Sequence, residues 1–232
     1  MNPGPILYLT CKELNESMRG SLDGTKIESI KDTINNFAIV SAIAGMASGL
    51  IPAGGAEIAA VLIQTGFVWA MYVKINKTLE ISMSENTAKF IGSAILTNII
   101  TNAGALLLAY AGAAILSFIP ILGQAGVAAI NGAIGFVSIY AAAIVYLKLI
   151  TKMVQPNGTL KVEPSDDTKH IIEELIKDTN LKEIIEEGRN AYKQAKADGS
   201  IDQAKKNPKC PSCGADVRPD QKFCSDCGTA LK

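Results

Sequence analysis

The stretch that decides the fold runs from Phe90 to Leu147 and contains 58 residues without a charge: FIGSAILTNIITNAGALLLAYAGAAILSFIPILGQAGVAAINGAIGFVSIYAAAIVYL. Only the sequence Ile119-Pro120-Ile121-Leu122-Gly123 interrupts its helical pattern. Because proline and glycine mark turns inside such patterns, we predict two long apolar helices joined by a turn. Ala103–Phe118 is apolar all round the helix, so it must be buried in lipid or in protein.

A related turn occurs earlier in the chain, at Ile51-Pro52-Ala53-Gly54-Gly55, 68 residues before the other. Each turn is followed by Gly-Phe-Val, at 66–68 and at 135–137. This recurrence predicts two helical hairpins related by an imperfect internal repeat. Connectivity then places both turns at one end of the domain, opposite a set of lysines: Lys74, Lys77, Lys89, Lys148 and Lys152.

Charge is strongly segregated along the 232 residues, although the formal net charge is zero. Residues 36–153 carry only eight of the 44 charged side chains, whereas 154–207 carry twenty. The chain therefore divides into five predicted segments: an N-terminal polar segment (1–35), an apolar helical-hairpin domain (36–153), an amphipathic helical segment (154–198), a linker (199–209) and a cysteine-bearing segment (210–232). A zero net charge argues against a dedicated nucleic-acid binder.

The hairpin arms have the small-residue pattern of helices that pack closely in lipid, with pairs such as Ala38/Ala42 and Ala128/Gly132. The uncharged turns favour a re-entrant hairpin or a buried turn. The alternative is a soluble all-α bundle whose exposed apolar faces are covered by other subunits.

Both returning arms end in aromatic residues followed by lysine: Trp69, Tyr72 and Lys74 in one, and Tyr146 and Lys148 in the other. Such a pattern is typical of the cytoplasmic side of a membrane interface. The third arm also has a polar stripe, which we expect to face other helices rather than lipid: Ser93, Thr97, Asn98, Thr101 and Asn102.

Four of the five cysteines form two Cys-x-x-Cys pairs near the C-terminal end: Cys210, Cys213, Cys224 and Cys227. Each pair makes a tight knuckle, and Gly214 and Gly228 supply the backbone conformation that turns it. Two knuckles provide four thiolates, a closed tetrahedral set for one structural Zn²⁺. The alternatives are two disulfides or a redox-active pair, although thiolate ligands fit a reducing, cytosolic compartment.

The segment 210–231 resembles bacterial zinc ribbons of the CPxCG…FCxxCG type, with Phe223 before the second knuckle. The resemblance implies metal binding, and a role in protein contact or in folding is expected. Basic residues in the segment are nearly matched by acidic ones, so a nucleic-acid role is not expected.

Residues 36–152 resemble the uncharacterised helical domain, of the domain of unknown function 697 type, that is associated with bacterial Era-like and dynamin-like GTPases. The matching pieces are these: Ile51–Glu57, Gln64, Leu79, Ser82, Glu85–Lys89, and the second turn with Ala129-Ile130-Asn131. The resemblance implies membrane association in a GTPase-linked or stress-related system. No GTPase lies in this chain, because Gly20–Lys26 lacks the Gly-Lys-Ser/Thr order of a phosphate loop.

The flanking residues carry further signals. Ser82-Met83-Ser84-Glu85 is predicted to be a capping box that opens the third arm. Amphipathic helices are predicted near 166–177 and 181–197, with Glu187 on their polar face, and Gly199–Lys209 is predicted to be a flexible tether. Three isolated residues are interpreted as unremarkable: Glu57 as a carboxylate in a first helical turn, His170 as solvated and Cys11 as packed.

Together these patterns predict an all-α fold of two hydrophobic helical hairpins plus amphipathic helices, with a small C-terminal zinc ribbon. No nucleophile–base pair is visible, so we predict a non-enzymatic protein. The expected partners are a membrane, a protein bound through the ribbon, a second copy of the chain, and no nucleic acid. The expected location is the cytoplasmic face of the inner membrane, or alternatively the cytoplasm. Two alternative functions are a soluble homo-oligomeric scaffold and an accessory subunit of a separate GTPase.

Overall fold

The computed structural model describes residues 4–48, 56–116, 124–155, 159–160, 162–206, 210, 215–218, 221 and 223–226. These ranges contain eight helices: α1 (Pro5–Ser17), α2 (Gly24–Ser48), α3 (Ala56–Leu79), α4 (Glu85–Leu116), α5 (Gln124–Met153), α6 (Asp166–Asp178), α7 (Leu181–Ala197) and α8 (Ser200–Lys206). They contain no β-strand of more than a single bridge. The predicted all-α fold with two helical hairpins is confirmed. The compositional boundary at residue 35 falls inside α2.

Helices α2 to α5 form an antiparallel bundle, in which each helix packs against the next and α2 also packs against α5. Helix α5 is the central element, because it contacts α1, α2, α3, α4, α6 and α7. Every residue from Gly135 to Leu147 is buried. A helix that is apolar all round is expected in such a position, so much of the uncharged sequence is explained by burial within this one chain.

The amphipathic helices cover one side of the bundle. Helix α7 packs on α5 and α4, with Gly188 against Val137 and Tyr140 and with the ring of Tyr192 edge-on to Phe136 at 5.6 Å. Helix α6 starts at the predicted place, where the hydroxyl of Ser165 accepts from the Thr168 N–H and caps it. The predicted helices near 166–177 and 181–197 therefore match α6 and α7.

The C-terminal part of α2 lies beside the N-terminal part of α5. A Cβ atom built on Gly45 would be 2.4 Å from the backbone oxygen of Asn131, and one on Gly132 would be 3.0 Å from that of Ala42. The small residues thus mark a close backbone contact, as the sequence predicted. We call this end, formed by the C-terminal ends of α2 and α4 and the N-terminal ends of α3 and α5, the distal end.

The opposite, proximal end contains the connector between α3 and α4. The hydroxyl of Tyr146 donates to the Asn76 side-chain oxygen at 2.6 Å and also approaches the sulfur of Met83, so the connector lies beside the last turns of α5. The helix ends agree with two turns at one end and the lysines at the other. Gly54 and Gly123, which would decide the matter, lie outside the described residues.

The structure corrects the predicted position of the interfacial aromatic residues. Tyr72 and Tyr146 are fully buried and stack on each other, with ring centroids 3.7 Å apart. Tyr72 donates to the backbone oxygen of Ala142, so its polar group is satisfied inside the bundle. Trp69 is partly buried beneath Lys89, whose ammonium is 4.8 Å from the ring centroid. Packing between α3 and α5, rather than a membrane interface, accounts for the two tyrosines.

The structure also corrects the predicted orientation of the polar stripe of α4, which faces outward instead of toward other helices. Ser93, Thr97, Thr101 and Asn102 are exposed, whereas Asn98 is half-buried. The apolar positions between them, such as Ile95 and others of the same face, point into the core. The first half of α4 is therefore an ordinary amphipathic helix, in which exposed polar residues and buried apolar residues alternate with the helical period.

Two boundary predictions also change. Helix α4 begins two residues later than the capping box predicted, because Ser84 rather than Ser82 is the cap and its hydroxyl accepts from the Thr87 N–H at 3.1 Å. The predicted flexible tether is helical over most of its length, since Ser200–Lys206 forms α8 and Ile201 is fully buried against the main core. The buried side chain of Ile201 attaches the segment to the bundle, which its composition did not predict.

Gly45→Ala is expected to lower the free energy of unfolding by about 1–3 kcal/mol, because the new methyl group overlaps the backbone of α5. Gly104→Ala is the matched control, since the nearest atom to its added Cβ is a side-chain carbon 3.9 Å away. The control should gain about 0.8–1 kcal/mol from helix propensity. Urea unfolding followed by circular dichroism measures both, and equal effects of one sign would contradict the close α2–α5 contact.

Candidate metal centre

A second, much smaller core lies at the C-terminal end of the chain. Cys210, Val217 and Cys224 are buried together, and Ala215 packs against them. This cluster is distinct from the main helical core, which includes residues from Leu7 to Ile201. Cysteines from both Cys-x-x-Cys pairs therefore belong to one buried cluster, although they are fourteen positions apart in the sequence.

Backbone hydrogen bonds shape the two ends of this cluster. The Cys210 N–H donates to the backbone oxygen of Ala215 at 2.7 Å, which joins the described residues on either side of 211–214. The Asp226 N–H donates to the sulfur of Cys224 at 3.4 Å. The thiolate is the form of cysteine that ligates a metal.

Between the pairs, the side chain of Gln221 braces a turn. Its oxygen accepts from the Arg218 N–H at 3.0 Å, and its nitrogen donates to the backbone oxygen of Phe223 at 2.7 Å. Residues 209–231 match the zinc-ribbon domain family. This match spans both cysteine pairs, and it identifies the C-terminal segment of the chain as a zinc ribbon. No curated protein and no solved structure matches the chain.

The family match does not extend to the helical part of the chain. The resemblance of residues 36–152 to the GTPase-associated helical domain has no support among these comparisons and stays a prediction. The helices and the buried core establish the fold of that part, and the comparisons assign it to no family.

The chemistry of the zinc ribbon fits Zn²⁺, because buried thiolates are its preferred structural ligands. Cys213 and Cys227 lie outside the described residues, so the complete four-thiolate set stays a prediction. Within the described ranges, no three His, Cys, Asp or Glu side chains come together as a metal site. When bound by four thiolates, zinc supplies a structural cross-link and offers no open coordination position.

The zinc ribbon exposes an aromatic ring. Phe223 is 62% exposed, although its backbone is held by Gln221. Among the described residues of this segment, Cys210, Val217 and Cys224 form the buried core and Ala215 packs on it, so the ring of Phe223 lies outside that core. The sequence placed Phe223 before the second knuckle but did not show whether it faced inward or outward.

The connection between the zinc ribbon and the helices is short. Helix α8 packs on α2 and α7, and only residues 207–209 separate its last residue from Cys210. A chain extends by at most about 3.6 Å per residue, so Cys210 lies within about 15 Å of the end of α8. The zinc ribbon is therefore carried close to the helical body instead of on an eleven-residue tether.

A second polar site, which the sequence analysis missed, joins α1 to α7. Glu187 is only 8% exposed, and its carboxylate accepts the Ile6 N–H at 2.6 Å, the Leu7 N–H at 3.0 Å and the Tyr140 hydroxyl at 2.9 Å. It thus caps the first turn of α1 from another helix, where a negative charge is also favoured by the helix dipole.

The surroundings of Glu187 explain two sequence features. Gly4 precedes α1, and a Cβ there would overlap the carboxyl group, so only glycine leaves room for this cap. Burial, followed by the charge of Glu187, raises the pKa of Tyr140, which keeps its hydroxyl protonated as a donor. Glu187 was predicted on the polar face of α7, which was wrong. It lies at the edge of the apolar face of α7, where the helical period alone does not show whether a residue is buried or exposed.

Two of the three isolated residues have side chains within the described part of the chain, and both match their predictions. His170 is exposed on α6 and lies 3.2 Å from a Glu174 oxygen, so it is solvated as predicted. Cys11 is buried in the main core, and burial raises the pKa of its thiol to about 11, so it is packed as predicted. The side chain of Glu57 lies outside the described residues, and its role stays a prediction.

Two helices are long and apolar enough, by length and composition alone, to cross a membrane: Glu85–Leu107 and Val127–Met153. Their surroundings differ. The segment in α5 is 89% buried inside the protein, as expected for a core helix, whereas the segment in α4 is only 39% buried. These two segments are weak support for membrane association, and the side of the membrane is not shown.

Proposed function

We propose that the protein is a non-enzymatic adaptor that binds a partner protein through its zinc ribbon while its helical body is attached to the cytoplasmic face of a membrane. The observation that carries this proposal is the attachment of the zinc ribbon through three residues to a helix docked on the bundle. Such an arrangement keeps a small recognition module within a short distance of a larger body.

The zinc ribbon supports a contact role rather than catalysis. Four thiolates would leave zinc no site for substrate or water. The exposed ring of Phe223 offers the kind of aromatic anchor that is enriched at protein interfaces. The basic and acidic side chains of the segment nearly balance, which favours a protein over a nucleic acid as its partner.

Membrane attachment is supported by the exposed surface of α4. Its exposed positions from Lys89 to Asn102 are polar except for Ile100, and the next exposed positions that the structure describes, Ala105 and Ala109, are apolar. A water-exposed helix of a soluble monomer normally keeps polar residues along its whole outer face.

The alternative of a soluble homo-oligomer is favoured by the same apolar surface, which a second copy of the chain could cover. Because α5 is buried within one chain, its apolar residues need no second copy to cover them, which weakens that alternative. The third function, an accessory subunit of a separate GTPase, rests only on the sequence resemblance of residues 36–152.

Cell fractionation of the full chain tests the membrane part of the proposal. We expect the protein in the membrane pellet after a high-salt wash, and its release by detergent, because apolar contacts are not screened by salt. Recovery wholly in the soluble fraction would contradict membrane attachment. Light scattering of that soluble material would then support the homo-oligomer if it gave a multiple of the chain mass.

A further inference from the structure

We infer that Met83 is a site of oxidation by hydroperoxides, and that formation of its sulfoxide releases the connector between α3 and α4 from the proximal end of the bundle. The sulfur of Met83 accepts a hydrogen bond from the side-chain amide of Asn76 at 3.3 Å, and the Tyr146 hydroxyl lies 3.8 Å from it. The thioether therefore joins the connector to α3 and to α5. The site is separate from the zinc ribbon, and the inference does not depend on the proposed function.

Two side chains attach the connector, residues 80–84, to the bundle. Ile81 is buried in the main core and Met83 packs against that core, whereas the other three residues are exposed. Glu80 has a φ of 59°, a left-handed conformation that a non-glycine residue keeps only where surrounding contacts impose it. Its ion pair with Lys26 is exposed and contributes little. The connector is therefore a strained segment whose position depends on Ile81 and Met83.

A buried polar side chain also depends on the sulfur. Asn76 is only 3% exposed, and its amide oxygen accepts from the Tyr146 hydroxyl at 2.6 Å while its nitrogen donates to Met83. A buried donor that loses its acceptor keeps the full cost of its desolvation. Any change that moves the sulfur away from Asn76 therefore destabilises the contact between the connector and the last turns of α3 and α5.

Oxidation is a change of this kind. The sulfur lone pair attacks one oxygen of hydrogen peroxide, so an S–O bond forms while the O–O bond breaks. The proton on the transferred oxygen passes to the departing hydroxide, and the products are the sulfoxide and water. The sulfur is oxidised and the peroxide is reduced, with no further reactant. Because a sulfoxide is polar, it no longer suits the apolar core against which Met83 packs.

The position of Met83 makes its side chain accessible to a small oxidant. It is half-buried, and its two sequence neighbours, Ser82 and Ser84, are exposed. Met71, in contrast, is fully buried within α3. Met153 is half-buried in the last turn of α5, so it provides a comparison of similar exposure.

The test treats the full, zinc-loaded chain with dilute hydrogen peroxide and compares it with two variants. Met83→Leu replaces the oxidisable sulfur by an apolar side chain of similar size, and Met153→Leu is the matched control. Peptide mass spectrometry locates the added oxygen, and hydrogen exchange measures opening of the connector. Since peroxide also attacks cysteine thiolates, exchange is read only from peptides of α3, the connector and α4.

We expect the sulfoxide to form at Met83 before it forms at Met71. Once it has formed, amides of the connector and of the last turn of α3 should exchange about tenfold faster, the factor that corresponds to losing one buried hydrogen bond. A methionine sulfoxide reductase should restore slow exchange. Met153→Leu should respond to peroxide as the parent does, whereas exchange in Met83→Leu should be the same with and without peroxide.

Four results would overturn the inference. They are oxidation of Met71 as early as that of Met83, unchanged exchange in a chain fully oxidised at Met83, a peroxide response that persists in Met83→Leu, and a response that the reductase does not reverse. The last of these would assign the response to the cysteines. The first, second and fourth are measured on the parent chain, so they decide the matter even where Met83→Leu fails to fold.

Discussion

Cys224→Ser is expected to reduce the zinc content from about one ion per chain to none, measured by elemental analysis of the purified protein. Serine is a poor ligand for zinc, and Cys224 belongs to the buried cluster that forms the core of the zinc ribbon. Because so small a core cannot fold without metal, residues 210–231 should unfold in this variant. Loss of protection of their amide hydrogens from exchange would report it.

The matched control is Cys11→Ala, which also removes one thiol but from the main core. It should keep about one zinc per chain, since Cys11 is in α1 and far from the cysteine pairs in sequence. The helical transition seen by circular dichroism should survive in Cys224→Ser, because the two cores share no buried residue. A Cys224→Ser protein that keeps its zinc would contradict the assigned ligand, and one that loses its helices would show that both parts unfold as a unit.

Glu187→Ala is expected to lower the free energy of unfolding by about 3 kcal/mol or more. The change removes three hydrogen bonds to a buried carboxylate, each worth about 1.5–3 kcal/mol in favourable cases, and leaves the Tyr140 hydroxyl without its acceptor. It also removes the cap from the first turn of α1. Urea unfolding monitored by circular dichroism measures the loss.

Glu186→Ala provides the comparison, because this neighbouring carboxylate is half-exposed and pairs with Arg189 at 3.5 Å. Such an exposed pair contributes about 0–1 kcal/mol, so the control should unfold almost as the parent does. Adding Tyr140→Phe to Glu187→Ala should recover part of the loss, since the orphaned hydroxyl is then absent. Equal stabilities for the two glutamate variants would refute the cap.

Residues with a strong local signal were the ones whose structure could be predicted. The uncharged arms and the amphipathic patterns near 166–177 and 181–197 are local signals, and they predicted the helix order of α2 to α7 nearly as found. The paired Cys-x-x-Cys spacing is equally local, and it predicted the zinc ribbon later matched by family. Small residues also predicted a close contact, because only their size permits one.

What could not be predicted depends on which neighbour a side chain meets. An aromatic ring followed by lysine has the same sequence whether it lies at a membrane interface or stacks inside a bundle, as Tyr72 and Tyr146 do. The outward polar stripe of α4 required knowledge of how that helix is rotated. Glu187 required its partner at Ile6, 181 positions earlier in the chain. None of these pairings leaves a periodic signal in a single sequence.

The cap at Glu187 has a consequence for the order in which the protein is completed during synthesis. Helix α1 leaves the ribosome well before the carboxylate that caps it, which follows Ile6 by 181 positions. At about 5–20 residues per second, the first helix waits on the order of ten to forty seconds for its cap. Until then two backbone N–H groups of α1 must be satisfied by water. Helix α1 therefore reaches its final form only after α7 has been synthesised.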